Sequence, residues 1–191
     1  MNMMNVLLIE DNPDNALLEN NLKKRGFKVL KTRHNAMFLT LIKEIKPDVV
    51  IFNLETPSEK ILTDLHSLNH QWALPVIMFA RDDNIDTINQ AIKAEVSAFI
   101  VEGDENNRIN SIIKVASASF RHQQLLKNEL EEVRAKLENR KQVDQAKAIL
   151  IKTQNFTEDQ AYHKLRKLAM DRNITLSEMA KNVIAMAELL K

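Results

Sequence analysis

The stretch DVVIFNLETPS, residues 48–58, decides the fold of this chain. Its bulky, largely β-branched run VVIF fits a strand that is buried on both faces of a parallel sheet. The polar residues and the proline that follow end the strand in a turn. The last polar side chain before that turn is Asn53, an amide at the carboxyl end of the strand.

Further runs of the same kind lie on either side of this strand. They are VLLIE (6–10), FKVL (27–30), PVIMF (75–79) and SAFIV (97–101), and helical patterns lie between them near 13–25, 35–45, 59–69 and 84–94. Five strands alternating with helices predict an α/β domain, a doubly wound (βα)5 sheet. The pair Asn12-Pro13 predicts the start of the first helix, and Gly26 predicts its end.

The composition excludes several classes of protein. The chain has 191 residues, 45% hydrophobic and 28% charged, with no cysteine, only two glycines and a net charge of +1. Without cysteine there are no disulfides or thiolate metal sites, and so few glycines argue against phosphate-cradling loops. No apolar run approaches the roughly 20 residues that cross a bilayer, and the N-terminus lacks a basic signal-peptide region. We expect a cytoplasmic protein with no membrane contact.

The carboxyl ends of the strands are where such sheets carry function. They bear Glu10 and Asp11, Asn53, Ala80 and Glu102. The element order, the acidic pair and DVVIFNLETPS resemble a response-regulator receiver domain. That resemblance implies an acid pair that binds Mg²⁺ and an aspartate at position 53 that accepts a phosphoryl group. It also implies a serine or threonine at position 80 and a lysine at position 102, which hold the phosphoryl oxygens.

Three of these positions depart from the family pattern, each with a chemical consequence. Asn53 is no useful nucleophile toward phosphorus and adds no charge to a magnesium site. Ala80 has no hydroxyl, and Glu102 places negative charge where a phosphoryl group would sit. A single Asp→Asn change can be a laboratory block to phosphorylation, but three concordant losses favour a receiver that aspartyl phosphate does not switch.

The remaining site residues have plain interpretations. Glu10 and Asp11 are interpreted as a residual, solvated acid pair with no cofactor, and the alternative is a surviving weak Mg²⁺ site. Phe99 stands where receivers keep an aromatic switch residue, but it is better described as a half-buried strand aromatic. His66 and His70 share a helix face without an evident third ligand, so no metal site is predicted.

The second half reads as helix throughout, since residues 104–153 contain no proline or glycine. Apolar or small residues recur there in a three–four rhythm, with charged flanks in KNELEEVRAKLENRK (127–141). The seam comprises Ile109, Ile112, Ala116, Ser119, Gln123, Leu126, Leu130, Val133 and Leu137. It predicts a coiled coil that forms a parallel homodimer, and the alternative is a long helix that packs back on its own chain.

Two more helices follow, each introduced by a capping box: TEDQ at 157–160 and TLSE at 175–178. Together with the end of the long helix, their apolar stripes predict a small three-helix bundle. Residues 138–191 carry ten lysines and arginines against seven aspartates and glutamates. An excess of that size alone is typical of a solvated surface, but the spacing of Lys164, Arg166 and Lys167 beside Tyr162 favours nucleic-acid binding.

This last segment resembles an ANTAR domain, the three-helix RNA-binding module of transcription antiterminators. The matching residues are Ala146, Lys147, Thr157, Glu158, Ala161, Leu165, Arg166, Ala169 and Met170. By that resemblance we expect Lys147 and Arg166 to contact RNA, joined by Lys164, Arg172 and Tyr162. The alternative for Arg166 is a structural salt bridge.

The domain order therefore predicts an atypical receiver (1–107), a coiled-coil linker helix (108–137) and an ANTAR domain (138–191). LETPS, VSAFIVEG and AELLK are most similar to the NasT-type regulators of nitrate and nitrite assimilation. This resemblance implies a non-enzymatic dimer that binds paired hairpins in a leader transcript and is controlled by a nitrate-sensing partner protein. The alternatives are a DNA-binding response regulator and a protein-interaction adaptor.

Overall fold

The structure is a computed structural model that describes residues 3–12, 14–101 and 105–189, with the backbone alone for 105–107. The chain divides into two compact units, Met1–Leu125 and Leu126–Lys191. Each unit is described separately below.

The first unit is built on a five-stranded sheet in which every described pairing is parallel. The strands are β1 (Asn5–Glu10), β2 (Lys28–Thr32), β3 (Val49–Leu54), β4 (Val76–Ala80) and β5 (Ala98–Val101). Their order is β2-β1-β3-β4-β5. Each strand lies within one or two residues of its predicted run, because bulky residues buried on both faces mark parallel strands clearly.

Helices cover both faces of this sheet. The first four are α1 (Leu17–Lys24), α2 (Phe38–Ile45), α3 (Glu59–Trp72) and α4 (Ile85–Lys93). Residues of α2, α3 and α4 pack with Leu7, Ile9, Val50 and Phe52 on one face. Residues of α1 and the following helix pack with Leu8 and Ile51 on the other face. The predicted doubly wound α/β fold is confirmed.

The first helix begins later than the sequence predicts. Asn12 accepts a hydrogen bond from the backbone N–H of Asp14 at 3.0 Å, and Asn15 accepts one from Leu17 at 3.2 Å. These local turns compete with helix formation, so α1 starts only at Leu17. The predicted end is confirmed, because Gly26 has a φ of 86° directly after the helix. Pro13 lies outside the described residues.

A single helix, α5 (Glu105–Gln154), has 50 residues and ends one residue beyond the predicted stretch 104–153. Ile109, Ile113 and Ala116 are buried against the sheet of the first unit. Two residues assigned to the predicted seam, Ile109 and Ala116, therefore belong to the core of the α/β domain, and a third, Ile112, is half-buried against it. The sheet offers them a larger apolar surface than a two-stranded seam would.

The second unit consists of the end of α5 with α6 (Glu158–Asp171) and α7 (Leu176–Leu189). Its core contains Ala146, Leu165, Ala169, Met179 and Ala180. Both capping boxes are present: Thr157 exchanges hydrogen bonds with Gln160, and Thr175 does so with Glu178. None of the helices in the described ranges is long and apolar enough to cross a membrane.

Candidate functional site

The acid site, defined here as Glu10, Asp11 and Asn53, lies at the carboxyl edge of the sheet. Glu10 and Asn53 are register partners on β1 and β3. Nδ2 of Asn53 donates a 2.7 Å hydrogen bond to Oε1 of Glu10, which is only 2% exposed. An amide can donate to a carboxylate where a second carboxylate would repel it. The structure thus brings together Glu10 and Asn53, and the expectation of a solvated acid pair is wrong for Glu10, which is buried.

Lys31 completes this arrangement, although the sequence reading did not select it. Its Nζ lies 2.9 Å from Oε2 of Glu10, and the lysine side chain is 13% exposed. Oε2 accepts no hydrogen bond from the described residues, so this ion pair is what balances its charge. The signal in the sequence was a lysine on the strand beside the acid pair, one residue before the strand ends.

Of the other predicted receiver positions, Asp11, Ala80 and Phe99 lie in the described part of the chain, and none of them is a partner in this ion pair. Asp11 is exposed and accepts a 3.3 Å hydrogen bond from the backbone N–H of Glu55. Ala80 is buried at the end of β4. Phe99 is half-buried and packs on the opposite face of the sheet from Leu8. Glu102 lies outside the described residues.

Histidines do not assemble a metal site in the part of the chain that the structure describes. His66 and His70 meet edge to face with ring centroids 4.6 Å apart. The described residues hold no group of three or more His, Cys, Asp or Glu side chains that could bind a metal ion.

The later part of the predicted seam is a surface without cover from the described residues. Leu126, Leu130, Val133 and Leu137 are between 50% and 63% exposed. They follow the four–three–four spacing of a coiled-coil core. From here on, the name seam is restricted to these four residues of the nine that were predicted.

Lys147 is held in place by two carboxylates. Its Nζ lies 2.8 Å from Oδ1 of Asp144 and 2.8 Å from Oε1 of Glu158, which ties α5 to the start of α6. The hydrogen bonds to Asp144 and Glu158 raise the pKa of Lys147, and the bond from Lys147 lowers the pKa of Asp144. The side chain is only 15% exposed. Because both carboxylates contact its ammonium, the charge of Lys147 is balanced within the bundle.

Arg166 differs from Lys147 because it is exposed, and no described carboxylate lies within ion-pair distance of it. The i, i+4 spacing of α6 places Tyr162, Arg166 and Met170 along one side of the helix. Tyr162 is 39% exposed and Met170 is 68% exposed. We call these three residues the α6 row. They combine a ring, a guanidinium and a flexible thioether, a set suited to nucleic-acid bases.

The remaining predicted cations are placed differently. Lys164 is exposed, but residues two apart on a helix are separated by about 200°, so it lies far around α6 from Arg166. Lys167 follows Arg166 in the sequence and is exposed. His163, one turn before Lys167, contacts the ring of Tyr162. Arg172 is the exposed C-cap of α6, where a positive charge also complements the helix dipole.

Comparison with protein families agrees with these two units. Residues 6–114 match the response regulator receiver domain, and residues 131–184 match the ANTAR domain. The receiver match covers more than half of the chain, so the chain belongs to the response regulator receiver family. More particularly, it is a regulatory protein that combines a receiver domain with an ANTAR domain.

Two relatives share parts of this organisation. The transcriptional regulatory protein PdtaR of Mycobacterium tuberculosis is 24% identical over 164 residues, which cover 85% of this chain and 80% of that protein. A nitrate regulatory protein of Klebsiella oxytoca is 36% identical over 66 residues, 35% of this chain but only 17% of that protein.

Solved structures agree with the fold of the first unit. The signal receiver domain of a modulated diguanylate cyclase from Desulfovibrio desulfuricans has a TM-score of 0.55 at 17% identity, covering 64% of this chain and 99% of that one. A response regulator from Thermotoga maritima has a TM-score of 0.54 at 17% identity, covering 61% and 99%. At such identities the likeness shows the receiver fold alone.

Proposed function

We propose that this protein is an RNA-binding transcription antitermination regulator that acts without aspartyl phosphorylation and is not an enzyme. The observation that carries the proposal is the ANTAR domain, which presents the α6 row around an exposed Arg166 that has no ion-pair partner among the described residues. Single-stranded loop bases stack on aromatic rings and guanidinium planes, while lysines and arginines neutralise phosphates. Tyr162 and Arg166 would read a hairpin loop, with Lys167 and Arg172 on the backbone.

Lys147 acts in this proposal mainly as a positioning residue. Its two ion pairs hold the start of α6 against α5, so its first effect is to position the α6 row. Direct RNA contact by Lys147 requires a phosphate to displace Asp144 or Glu158. Lys164 stands outside the α6 row and contributes only general electrostatic attraction.

Dimerisation through the seam gives the protein two RNA-binding modules. Four apolar side chains at coiled-coil spacing favour a second copy of the same helix as their cover. Two modules on one dimer make binding of the second hairpin effectively intramolecular, which raises affinity by roughly 10²–10⁴ when the spacing fits. The target is then a two-hairpin leader transcript, which the dimer binds in the cytoplasm.

We further propose control by a partner protein, which is supported by the lack of a phosphoacceptor carboxylate at Asn53 and of a hydroxyl at Ala80. The similarity to a nitrate regulatory protein supports nitrate or nitrite assimilation genes as targets. A nitrate-sensing partner that sequesters the regulator would supply the switch that the acid site lacks.

The experiment that tests the proposal is an RNA titration with Arg166→Ala and a matched control. Lys93→Ala removes one positive charge from an exposed site on α4, in the receiver domain. Arg166→Ala should weaken binding to a two-hairpin leader RNA by roughly 10- to 100-fold, and Lys93→Ala should leave it nearly unchanged. The double variant Lys147→Ala/Arg166→Ala should abolish specific binding and leave the dimer intact.

Two results would overturn the proposal in favour of an alternative. Equal affinity for duplex DNA of the same length would indicate a DNA-binding response regulator. No salt-dependent binding to either nucleic acid would indicate a protein-interaction adaptor.

A further inference from the structure

The acid site carries its own cation. Both carboxylate oxygens of Glu10 are engaged within the chain, Oε1 by the amide of Asn53 at 2.7 Å and Oε2 by the ammonium of Lys31 at 2.9 Å. A carboxylate that is 2% exposed is costly to bury unless its charge is balanced. Here the balancing charge comes from the neighbouring strand.

The sheet register explains how Lys31 reaches Glu10. Lys31 on β2 pairs with Leu8 on β1, so its side chain leaves the same face of the sheet as Leu8 and Glu10. The four-carbon stem spans the two-residue step along β1. The ammonium also donates to the carbonyl of Asn15 and lies 3.8 Å from Oε2 of Glu19. Three oxygens from separate parts of the first unit therefore fix its position.

The residues present do not fit the Mg²⁺ that the receiver fold implies. Magnesium takes oxygen ligands at about 2.0–2.1 Å in an octahedral shell and favours carboxylates. Asn53 turns its N–H₂ group toward Glu10, so the shared position offers a donor in place of a third carboxylate. An ion bound to Oε2 would lie within about 5 Å of the Lys31 ammonium, where like charges repel.

We propose that Lys31 is a built-in counter-ion that takes the place of the divalent cation in this receiver. The Lys31–Glu10–Asn53 cluster supplies the positive charge and the hydrogen bond that a receiver otherwise obtains from Mg²⁺. The receiver then holds one arrangement at its carboxyl edge whatever the concentration of Mg²⁺ or of phosphodonors. The proposal concerns the receiver alone and stands independently of RNA binding.

The test is Mg²⁺ binding by the full chain, measured by isothermal titration with four proteins. They are the wild type, Asn53→Asp, Asn53→Asp/Lys31→Met and Asn53→Asp/Lys31→Arg. The wild type should bind no Mg²⁺ at millimolar concentrations. Asn53→Asp/Lys31→Met restores a carboxylate and removes the ammonium, so it should bind at least about tenfold more tightly than Asn53→Asp. Lys31→Arg keeps the charge and should keep Mg²⁺ excluded.

Two results would overturn the proposal. One is Mg²⁺ binding by the wild type at the affinity of the Asn53→Asp/Lys31→Met variant. The other is equal binding by the Lys31→Met and Lys31→Arg versions of Asn53→Asp. Circular dichroism checks that each variant is folded. The thermal midpoint of the wild type in millimolar Mg²⁺ gives a second reading that needs no variant: no change supports the proposal, and a rise contradicts it.

Discussion

Nδ2 of Asn53 lies 2.7 Å from Oε1 of Glu10, its register partner on the neighbouring strand. This contact explains why a chain with the receiver fold has an amide, Asn53, at the carboxyl end of β3. The buried edge of the sheet needs a donor to the carboxylate, and an aspartate at position 53 would add a second negative charge beside Glu10. The platform remains as the core of the fold, while the groups needed for phosphoryl transfer are absent from positions 53 and 80.

Lys31→Met should destabilise the receiver domain strongly. Removing one partner of a buried ion pair leaves an uncompensated charge and costs about 3–5 kcal/mol. Glu10→Gln in the same chain should recover part of that loss, because it removes the unbalanced carboxylate. Trp72, the single tryptophan, lies on α3 of the receiver and reports its unfolding in denaturant. A Glu10→Gln/Lys31→Met chain no more stable than Lys31→Met would contradict the counter-ion role.

The seam on α5 should control the oligomeric state. Leu130→Glu/Leu137→Glu places charges in the apolar stripe and should convert a dimer into a monomer, as measured by light scattering. Leu125→Glu is the matched control, since Leu125 is 60% exposed but lies outside the seam. If the wild type is a monomer, or if Leu125→Glu disrupts the dimer equally, the seam is not the interface.

Much of this fold could be predicted from the sequence because burial on both faces leaves continuous apolar runs, as in β3 and β4. The boundary of α1 could not, because Asn12 and Asn15 form turns whose hydrogen bonds compete with the helix. The sequence pattern also did not show where α5 changes from packing on the sheet to being exposed to solvent. Ile109 buried on a sheet and Leu130 exposed on a lone helix obey the same spacing.

The candidate sites were predictable only in part. Glu10 and Asn53 come together because carboxyl ends of parallel strands share an edge. Lys31 was missed because its reach depends on the register of β2 against β1, which composition does not reveal. The ion pairs of Lys147 depend on how the end of α5 meets the start of α6. The seam, the RNA contacts of Tyr162 and Arg166, and the domain boundaries at 107 and 137 stay predictions.

The capping box at the start of α6 should contribute measurably to the stability of the ANTAR domain. Thr157 Oγ1 accepts a hydrogen bond from the N–H of Gln160, and Thr157→Ala should cost about 1 kcal/mol of unfolding free energy. Thr157→Ser should restore most of it. Thr153→Ala is the control, because that hydroxyl donates only within α5 to the carbonyl of Ile149. Equal effects at both positions would exclude a capping role.

The second capping box should stabilise the ANTAR domain at neutral pH and lose part of that effect in acid. Hydrogen bonds from the backbone and hydroxyl of Thr175 lower the pKa of Glu178. The stabilisation is therefore present above the unfolded pKa of about 4.3 and is lost as pH falls through the lower folded pKa. Glu178→Gln should flatten the acid limb of a stability–pH curve followed by circular dichroism. An unchanged acid limb in Glu178→Gln would show that other carboxylates set it.

A dimer with two ANTAR modules should bind paired RNA hairpins without phosphorylation. The most direct measurement is a titration of the full chain, without phosphodonor, against a two-hairpin leader RNA and the same RNA with one loop scrambled. We predict tight binding to the intact RNA and a loss of at least roughly 10²-fold when one loop is scrambled. Equal affinity for the two RNAs would contradict the account.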